Sequence, residues 1–255
     1  ISWGQRSMDA KLKGGLIFAA VFLALAGGEV AWIHHKNNEV ATAPKKATVT
    51  YAPDNLVYLR KLHPSTLKDE KELIGATVWM SAAAQLDYYP YVNHRADYAH
   101  PVSTLPGAVP LHIIAIFEQV PPSSGRTVSR IPKGMRHVLA AFTMPASTDP
   151  KAEYATPIGN YDTTGYNFYS DGIFFFDDPH QLYDYWGPVV WAHIDKHEAA
   201  LGMSEDQMML ALGQVMVLHG DKIGDRSVTY NNNEHPINVV FENDKATSIT
   251  PQAAP

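Results

Sequence analysis

His193 and His197 stand four residues apart in the run Trp191-Ala-His-Ile-Asp-Lys-His197. On one helix that spacing would set both imidazoles on the same face, where they could ligate a metal such as zinc. A third ligand would have to come from His180, His219, Glu198 or a more distant residue. His197 also shares a helical face with Val190, Ile194 and Leu201, so a hydrogen-bonded core histidine explains the same spacing more simply. His94, Arg95, Asp97 and His100 form a second polar group that could bind metal or phosphate; a surface loop held by an Arg–Asp contact is the plainer reading. Asp177-Asp178 could act as paired carboxylates, but the Pro179 that follows makes Asp178 a helix cap.

No G-x-S-x-G elbow, phosphate-binding glycine loop, H-E-x-x-H or calcium-loop pattern is present. The chain has no cysteine, which excludes disulfides, thiolate metal sites and thiol nucleophiles. Its formal net charge of -6 gives a nucleic-acid partner no electrostatic support. These features predict a non-enzymatic protein with no catalytic residues and no cofactor. His193 and His197 are the candidate metal ligands if one exists.

Aromatic residues are the remaining chemical signal. Tyr88, Tyr89 and Tyr91 lie close together, as do Tyr161, Tyr166, Phe168 and Tyr169. Phe174-Phe175-Phe176 and Tyr183, Tyr185 and Trp186 follow. Neighbouring side chains of a strand alternate faces, so three consecutive phenylalanines cannot all enter one core. At least one must meet a helix, another domain or a partner. Within strands most of these rings are expected in the core; those that are not, with Tyr88, Tyr89, Tyr91, Phe175, Tyr183, Tyr185 and Trp186 as the candidates, would serve an interface, where tyrosine and tryptophan are enriched. The same rings would suit a glycan.

What would position these residues begins with the amino-terminal segment. Gly14 to Gly28 is a 15-residue uncharged run preceded by Arg6, Lys11 and Lys13. Lys11, Lys13, Leu16–Leu25 and Ala24-x-Ala26 fit a cleaved signal peptide. A retained signal anchor also fits: Gly14 to Ile33 supplies 20 residues interrupted only by Glu29, against roughly 30 Å of hydrocarbon to cross. Leu16, Ile17, Phe18, Val21, Phe22, Leu23 and Leu25 would sit in lipid. Ile33 would close the span, and Trp32 with His34 and His35 would sit at headgroup depth. The anchor is the preferred reading. The excess of basic residues before the span places the N-terminus inside and the bulk of the chain outside the cytoplasm. Residues 1–7 read as an extension ahead of Met8 or a start-site artefact.

Residues 34–53 are polar and punctuated by proline, and read as a linker. Leu56–Leu62 is expected as a short helix or an extended arm. From Ile74 the texture becomes short apolar runs split by Gly, Pro and Asn. Ala76–Met80, Leu111–Phe117, His137–Phe142, Glu153–Pro157, Tyr166–Tyr169 and Gly172–Phe176 are predicted strands. After Phe176 the pattern turns helical, with a helix over roughly Val189–Ala200. Ser204 and Gln207 then form a capping box, with Met203 and Met208 as a hydrophobic staple. That helix runs to Leu212 and stops at Gly213. Ser227–Tyr230, Pro236–Asn243 and Ala246–Ile249 complete a meander. The expected class is α+β: an N-terminal transmembrane helix, a β-rich small barrel or curled sheet, then an ααβββ module. The corresponding divisions are a cytoplasmic tail 1–13, the anchor 14–33, the linker 34–53, the β-rich domain 54–185, the module 186–250 and a tail 251–255.

The last module carries the run Gly202-Met203-Ser204-x-x-Gln207, Ala211-Leu212-Gly213, Val228-x-Tyr230 and Val239-x-Phe241-x-Asn243-x-Lys245-Ala246. This resembles the BamE (SmpA/OmlA) family of small lipoproteins of the outer-membrane barrel-assembly machinery. The resemblance covers about residues 186–250. It departs at Gly28, where the family has its lipidated cysteine, and at Gln214, where the family usually has proline. It implies the ααβββ fold and a role in non-catalytic protein–protein contact.

The combined expectation is a single-pass protein of the bacterial inner membrane with most of its chain in the periplasm. Its partners would be the bilayer, through the N-terminal helix, and other subunits of a membrane complex, with no nucleic acid. That complex would be envelope assembly machinery, or a respiratory or photosynthetic assembly in which the chain is an accessory subunit. A glycan-binding envelope module and a His-ligated metal hydrolase are the alternatives.

Overall fold

The short apolar runs Ala76–Met80, Leu111–Phe117, His137–Phe142, Glu153–Pro157 and Tyr166–Tyr169 predict strands, and each of them falls on a strand. The computed structural model describes residues 57–122, 135–145, 147–232 and 234–252. The anchor and linker expected over 14–53, including every anchor residue named above, lie outside the described residues. Among the described residues no helix is long and apolar enough to cross a membrane.

Residues 57–65 run as an extended arm. A short helix, α1 (Leu67–Glu70), follows, capped by a Thr66/Asp69 box. The strands are β1 (Thr77–Met80), β2 (Asp87–Val92), β3 (Arg95–Ala96), β4 (Ser103–Thr104), β5 (Pro110–Gln119), β6 (Arg136–Thr143), β7 (Glu153–Asp162), β8 (Gly165–Phe168) and β9 (Phe174–Phe175). They make one nine-stranded sheet in the order β3-β2-β7-β6-β5-β1-β9, with β4 added on β2 and β8 on β7. Every pairing is antiparallel.

Strand β6 is central. His137 through Phe142 are all buried, so both faces of the sheet are covered there. On one face Val138, Ala140 and Phe142 join Val78, Met80, Leu111, Ile113, Ile116 and Ile158 in the main core. On the other, Leu139 packs with Tyr89, Ala96 and Ala155 under Tyr91, Tyr98 and Phe117. Ile113 and Ile116 share a face although they stand three positions apart. The bulge between Ile113 and Ala115 re-phases the alternation and accounts for this.

The remainder packs two helices on a second sheet. Helix α2 (Ser170–Ile173) leads into β9, and α3 (Pro179–Leu182) is capped by the Asp178 side chain with Pro179 at its first turn. Helices α4 (Gly187–Asp195) and α5 (Glu205–Leu212) then lie against β10 (Met216–His219), β11 (Ser227–Tyr230), β12 (Ile237–Glu242) and β13 (Lys245–Pro251). The strands run in sequence order, β10-β11-β12-β13. Trp191, Ile194, Met208, Ala211 and Leu212 bury Val228, Tyr230, Val239 and Phe241 beneath them. The Ser204/Gln207 capping box forms, and Met203 and Met208 enter the same core.

The α+β class matches the expectation, with corrections inside it. The C-terminal sheet has four strands rather than three, because Met216–His219 pairs with β11. The helix expected to reach Ala200 ends at Asp195. Gly172 and Ile173 belong to a helical turn, leaving only Phe174 and Phe175 as strand. Residues Pro53–Pro255 form one compact unit that contains both sheets. The seam between them is close. A Cβ at Gly107 would collide with the carbonyl of Leu210 on α5, and one at Gly213 would collide with Ala84. Gln214 bridges the seam: its N–H donates to Ala83 O at 2.8 Å and its side-chain amide to Ser81 O at 3.0 Å.

Candidate interaction site

The three phenylalanines sort as strand geometry requires. Phe174 and Phe176 enter the main core, while Phe175 turns to the helical side and packs with Tyr183 and Trp186. Phe175 thereby opens an aromatic series. Its ring lies edge-on to Tyr183 at 6.1 Å; Tyr183 stacks on Trp186 at 4.5 Å, and Trp186 on Trp191 at 5.4 Å. His180 covers the far end, 4.1 Å from Trp191. Offset stacks of this kind add about 0.5–1.5 kcal/mol per pair beyond burial. The Trp191 indole N–H donates to Tyr183 O at 3.0 Å. The His180 ring reaches Asp178 and Asp195, each at 3.0 Å, which ties α3 to the end of α4.

A pocket of about 300 Å³ lies along this series, lined by Phe175, Tyr183 and Trp186 with Met209, Leu210 and Gln214. Leu59 of the extended arm and Asp206 complete its rim. The arm is held there by polar contacts. Asp171 accepts the N–H groups of Leu62 and His63 through its two carboxylate oxygens, each at 2.8 Å. Lys61 donates to the Asp171 carbonyl. The Arg60 guanidinium reaches Phe176 O, lies 3.5 Å from Asp177 and faces the Phe176 ring. Tyr185, 44% exposed, stands beside Tyr183 and Trp186.

Four of the seven interface candidates, Phe175, Tyr183, Tyr185 and Trp186, are thus brought together. The other three are not among them. Tyr89 is buried in the small core of the first sheet, where its ring meets Tyr98 edge-on, and this corrects its expected place at a surface. Tyr88 leans on Phe142 and Tyr154, and Tyr91 on Phe117. Each answers to a neighbouring strand rather than to the pocket.

The proposed metal pair is not assembled as expected. His193 lies within α4, but His197 lies beyond its end with a left-handed φ of 57°. The i, i+4 face is therefore not formed. Among the described residues no group of three or more metal-ligating side chains converges. His197 instead borders a cleft of about 350 Å³ at the seam, whose lining also includes Ser103, Ser147 and Asp195. Its Nδ1 is buried without a partner, and burial lowers its pKa. No hydrogen bond joins it to either serine or to Asp195, so a nucleophile–base pair is not in place. In the His94–His100 turn, Asp97 is taken by His100 at 2.7 Å rather than by Arg95.

Three buried polar groups were not visible in the residue pattern. Glu70 of α1 is 1% exposed, with one oxygen accepting from Ser170 Oγ at 3.1 Å and the other unpartnered. Burial pushes its carboxyl up to about 7, with the Asp171 and Asp69 carboxylates adding to the rise. His137 Nδ1 lies 2.8 Å from the Tyr98 hydroxyl, and burial brings its pKa down to about 4. Glu205, 2% exposed, meets the fork of Arg226 and also accepts the Gly224 N–H at 3.1 Å. Residues 19 to 100 positions away along the chain supply these partners, so no local spacing announces them.

No protein-family model, no curated protein and no solved structure matches the chain.

Proposed function

We propose that the protein is a non-catalytic subunit of a bacterial membrane complex, tethered in the inner membrane by a single helix over residues 14–33. Its folded part faces the periplasm and makes stabilising contacts with other subunits of envelope assembly machinery or of a respiratory or photosynthetic complex. The observation that carries this reading is the pocket of Phe175, Tyr183 and Trp186 with Tyr185 at its edge and Ser81, Asp206 and Gln214 in its lining: aromatic anchors grouped with a few polar side chains at a recess are the features on which protein interfaces concentrate binding energy. The resemblance of residues 186–250 to the BamE-like lipoproteins supports the same role. Tethering raises the effective concentration of such contacts, so one small pocket suffices to hold a partner.

The test is purification of the full chain from its native membranes in mild detergent, with identification of co-eluting chains. Wild-type protein is compared with the Leu59→Ser/Tyr185→Ala double variant. Both side chains are exposed by more than a third, so the fold tolerates their loss. Retention of a defined partner by wild type, with clear loss in the variant, is the expected result. Equal retention would remove the pocket from the interface. Capture by cell-wall glycan in place of any protein chain would favour the glycan-binding alternative.

A further inference from the structure

Sheet edges differ in how far they discourage pairing. The nine-stranded path ends in β3 and β9, each of two residues. Strand β13 carries Lys245 at its start, a bulge against β12 at Val240/Phe241, and Pro251, which has no N–H to offer. Short length, charge, bulges and proline are the devices by which edges avoid other chains.

Strand β10, four residues long, has neither a fixed charge, a bulge nor a proline. Val215-Met216-Val217-Leu218 is uncharged and free of glycine and proline, and its register with β11 is unbroken. Among the described residues β11 is its one neighbour. The Asn231 N–H donates to Val215 O at 2.8 Å, and Met216 stands opposite Tyr230. In an antiparallel ladder bonded and non-bonded positions alternate. Val215, Val217 and His219 therefore turn their backbone groups to β11, and Met216 and Leu218 turn theirs to the open side. Val217 is 60% exposed and Leu218 46%.

We propose that β10 is a self-pairing edge: a second copy of this chain docks antiparallel along it, about a two-fold axis through Val217, and the two four-stranded sheets become one. The open donors and acceptors fall evenly on either side of Val217. Met216 of one copy thus meets Leu218 of the other in a hydrogen-bonded pair, and the axis repeats that pair. This self-complementarity is what a two-fold interface requires. Charge points the same way. At a net charge of -6, two copies repel across a broad face, whereas Val215 to Gly220 contains no carboxylate. On the outer face Val217 lines a groove of about 430 Å³ with Val215, Thr229, Asn231 and Pro236, which gives the second copy's Val217 and Val215 an apolar bed.

The absence of cysteine makes the test clean, because Val217→Cys introduces a single thiol. Opposed residues at a non-hydrogen-bonded site have Cβ atoms roughly 4.5–5.5 Å apart, close enough to be oxidised to a disulfide. The full chain in mild detergent is expected to give a disulfide-linked homodimer roughly ten times faster than Val189→Cys, whose site on α4 is 72% exposed and serves as the collision control. Val217→Lys places like charges opposite each other. It should raise the dimer dissociation constant, read by sedimentation, by roughly tenfold while leaving the circular dichroism spectrum unchanged. Cross-linking of Val217→Cys no faster than the control would overturn the proposal. So would a monomeric mass for wild type at all concentrations, or a thiol at 217 captured by a different chain.

Discussion

The two sheets each bury a glutamate, and they neutralise it in different ways. Beside the nine-stranded sheet, Glu70 is 1% exposed and has a serine hydroxyl for company, with two aspartates nearby. In the helical module, Glu205 is 2% exposed, sits in the first turn of α5 and meets a guanidinium and a backbone N–H. A buried carboxylate must be paired or must hold its proton. Glu70 holds a proton up to about pH 7, whereas Glu205 has a cation and the favourable end of a helix dipole. The same side chain thus makes one region sensitive to pH and the other dependent on a partner residue.

Removing the partner breaks the comparison most severely. Glu205→Ala removes the carboxylate paired with Arg226, whose side chain is 9% exposed. The expected cost is about 3–5 kcal/mol, measured by denaturant unfolding of the full chain. A loss below 1 kcal/mol would mean that water reaches the guanidinium. Glu70→Gln should act in the opposite direction. Between pH 4.5 and about 7 the unfolded chain has released this proton and the folded chain still holds it, so stability falls as pH rises through that window. The variant should therefore be more stable than wild type by on the order of 2–3 kcal/mol at pH 8, with the difference vanishing below pH 4.5. His137 has the contrary slope: its stability contribution is complete above pH 6.5 and is lost as pH falls toward 4, so the Glu70 comparison is best read variant against wild type at each pH.

Asp171→Ala gives the smallest of these effects. Its carboxylate accepts two backbone N–H groups of the arm, and exposed bonds of this kind contribute about 1 kcal/mol in total. Global stability should change little, but trypsin should cut at Arg60 and Lys61 faster than in wild type. Unchanged cleavage would show that the Arg60 and Lys61 contacts, which do not use this carboxylate, suffice to hold the arm.

Local signals were readable in proportion to how local they are. The Asp178-Pro179 start and the Ser204/Gln207 box involve groups within four residues, and each forms as the residue types dictate. Strand β12 was likewise evident from its period, and β5 and β6 from their short apolar runs. Strand β2 was not, because Pro90 in its middle argues against a ladder; it is accommodated where β7 pairs only at Tyr89 and Pro90. Strand β10 was missed because four residues ending at a glycine become a strand only when β11 is beside them. The candidate pocket was half legible. The aromatic residues could be named, but Tyr88, Tyr89 and Tyr91 are of the same types as Tyr183 and Tyr185, and composition does not separate core rings from rim rings.

By itself the sequence settled the α+β class, the capped helices and the rule that Phe175 must face away from Phe174 and Phe176. These follow from backbone geometry and from hydrogen bonds between near neighbours. Tertiary structure alone decided that Glu70 meets Ser170, that Glu205 meets Arg226, and that Leu59 lines one pocket with Phe175 and Trp186. Those contacts join residues 21 to 127 positions apart. Their energies depend on desolvation, which is a property of the packed whole and of no single segment.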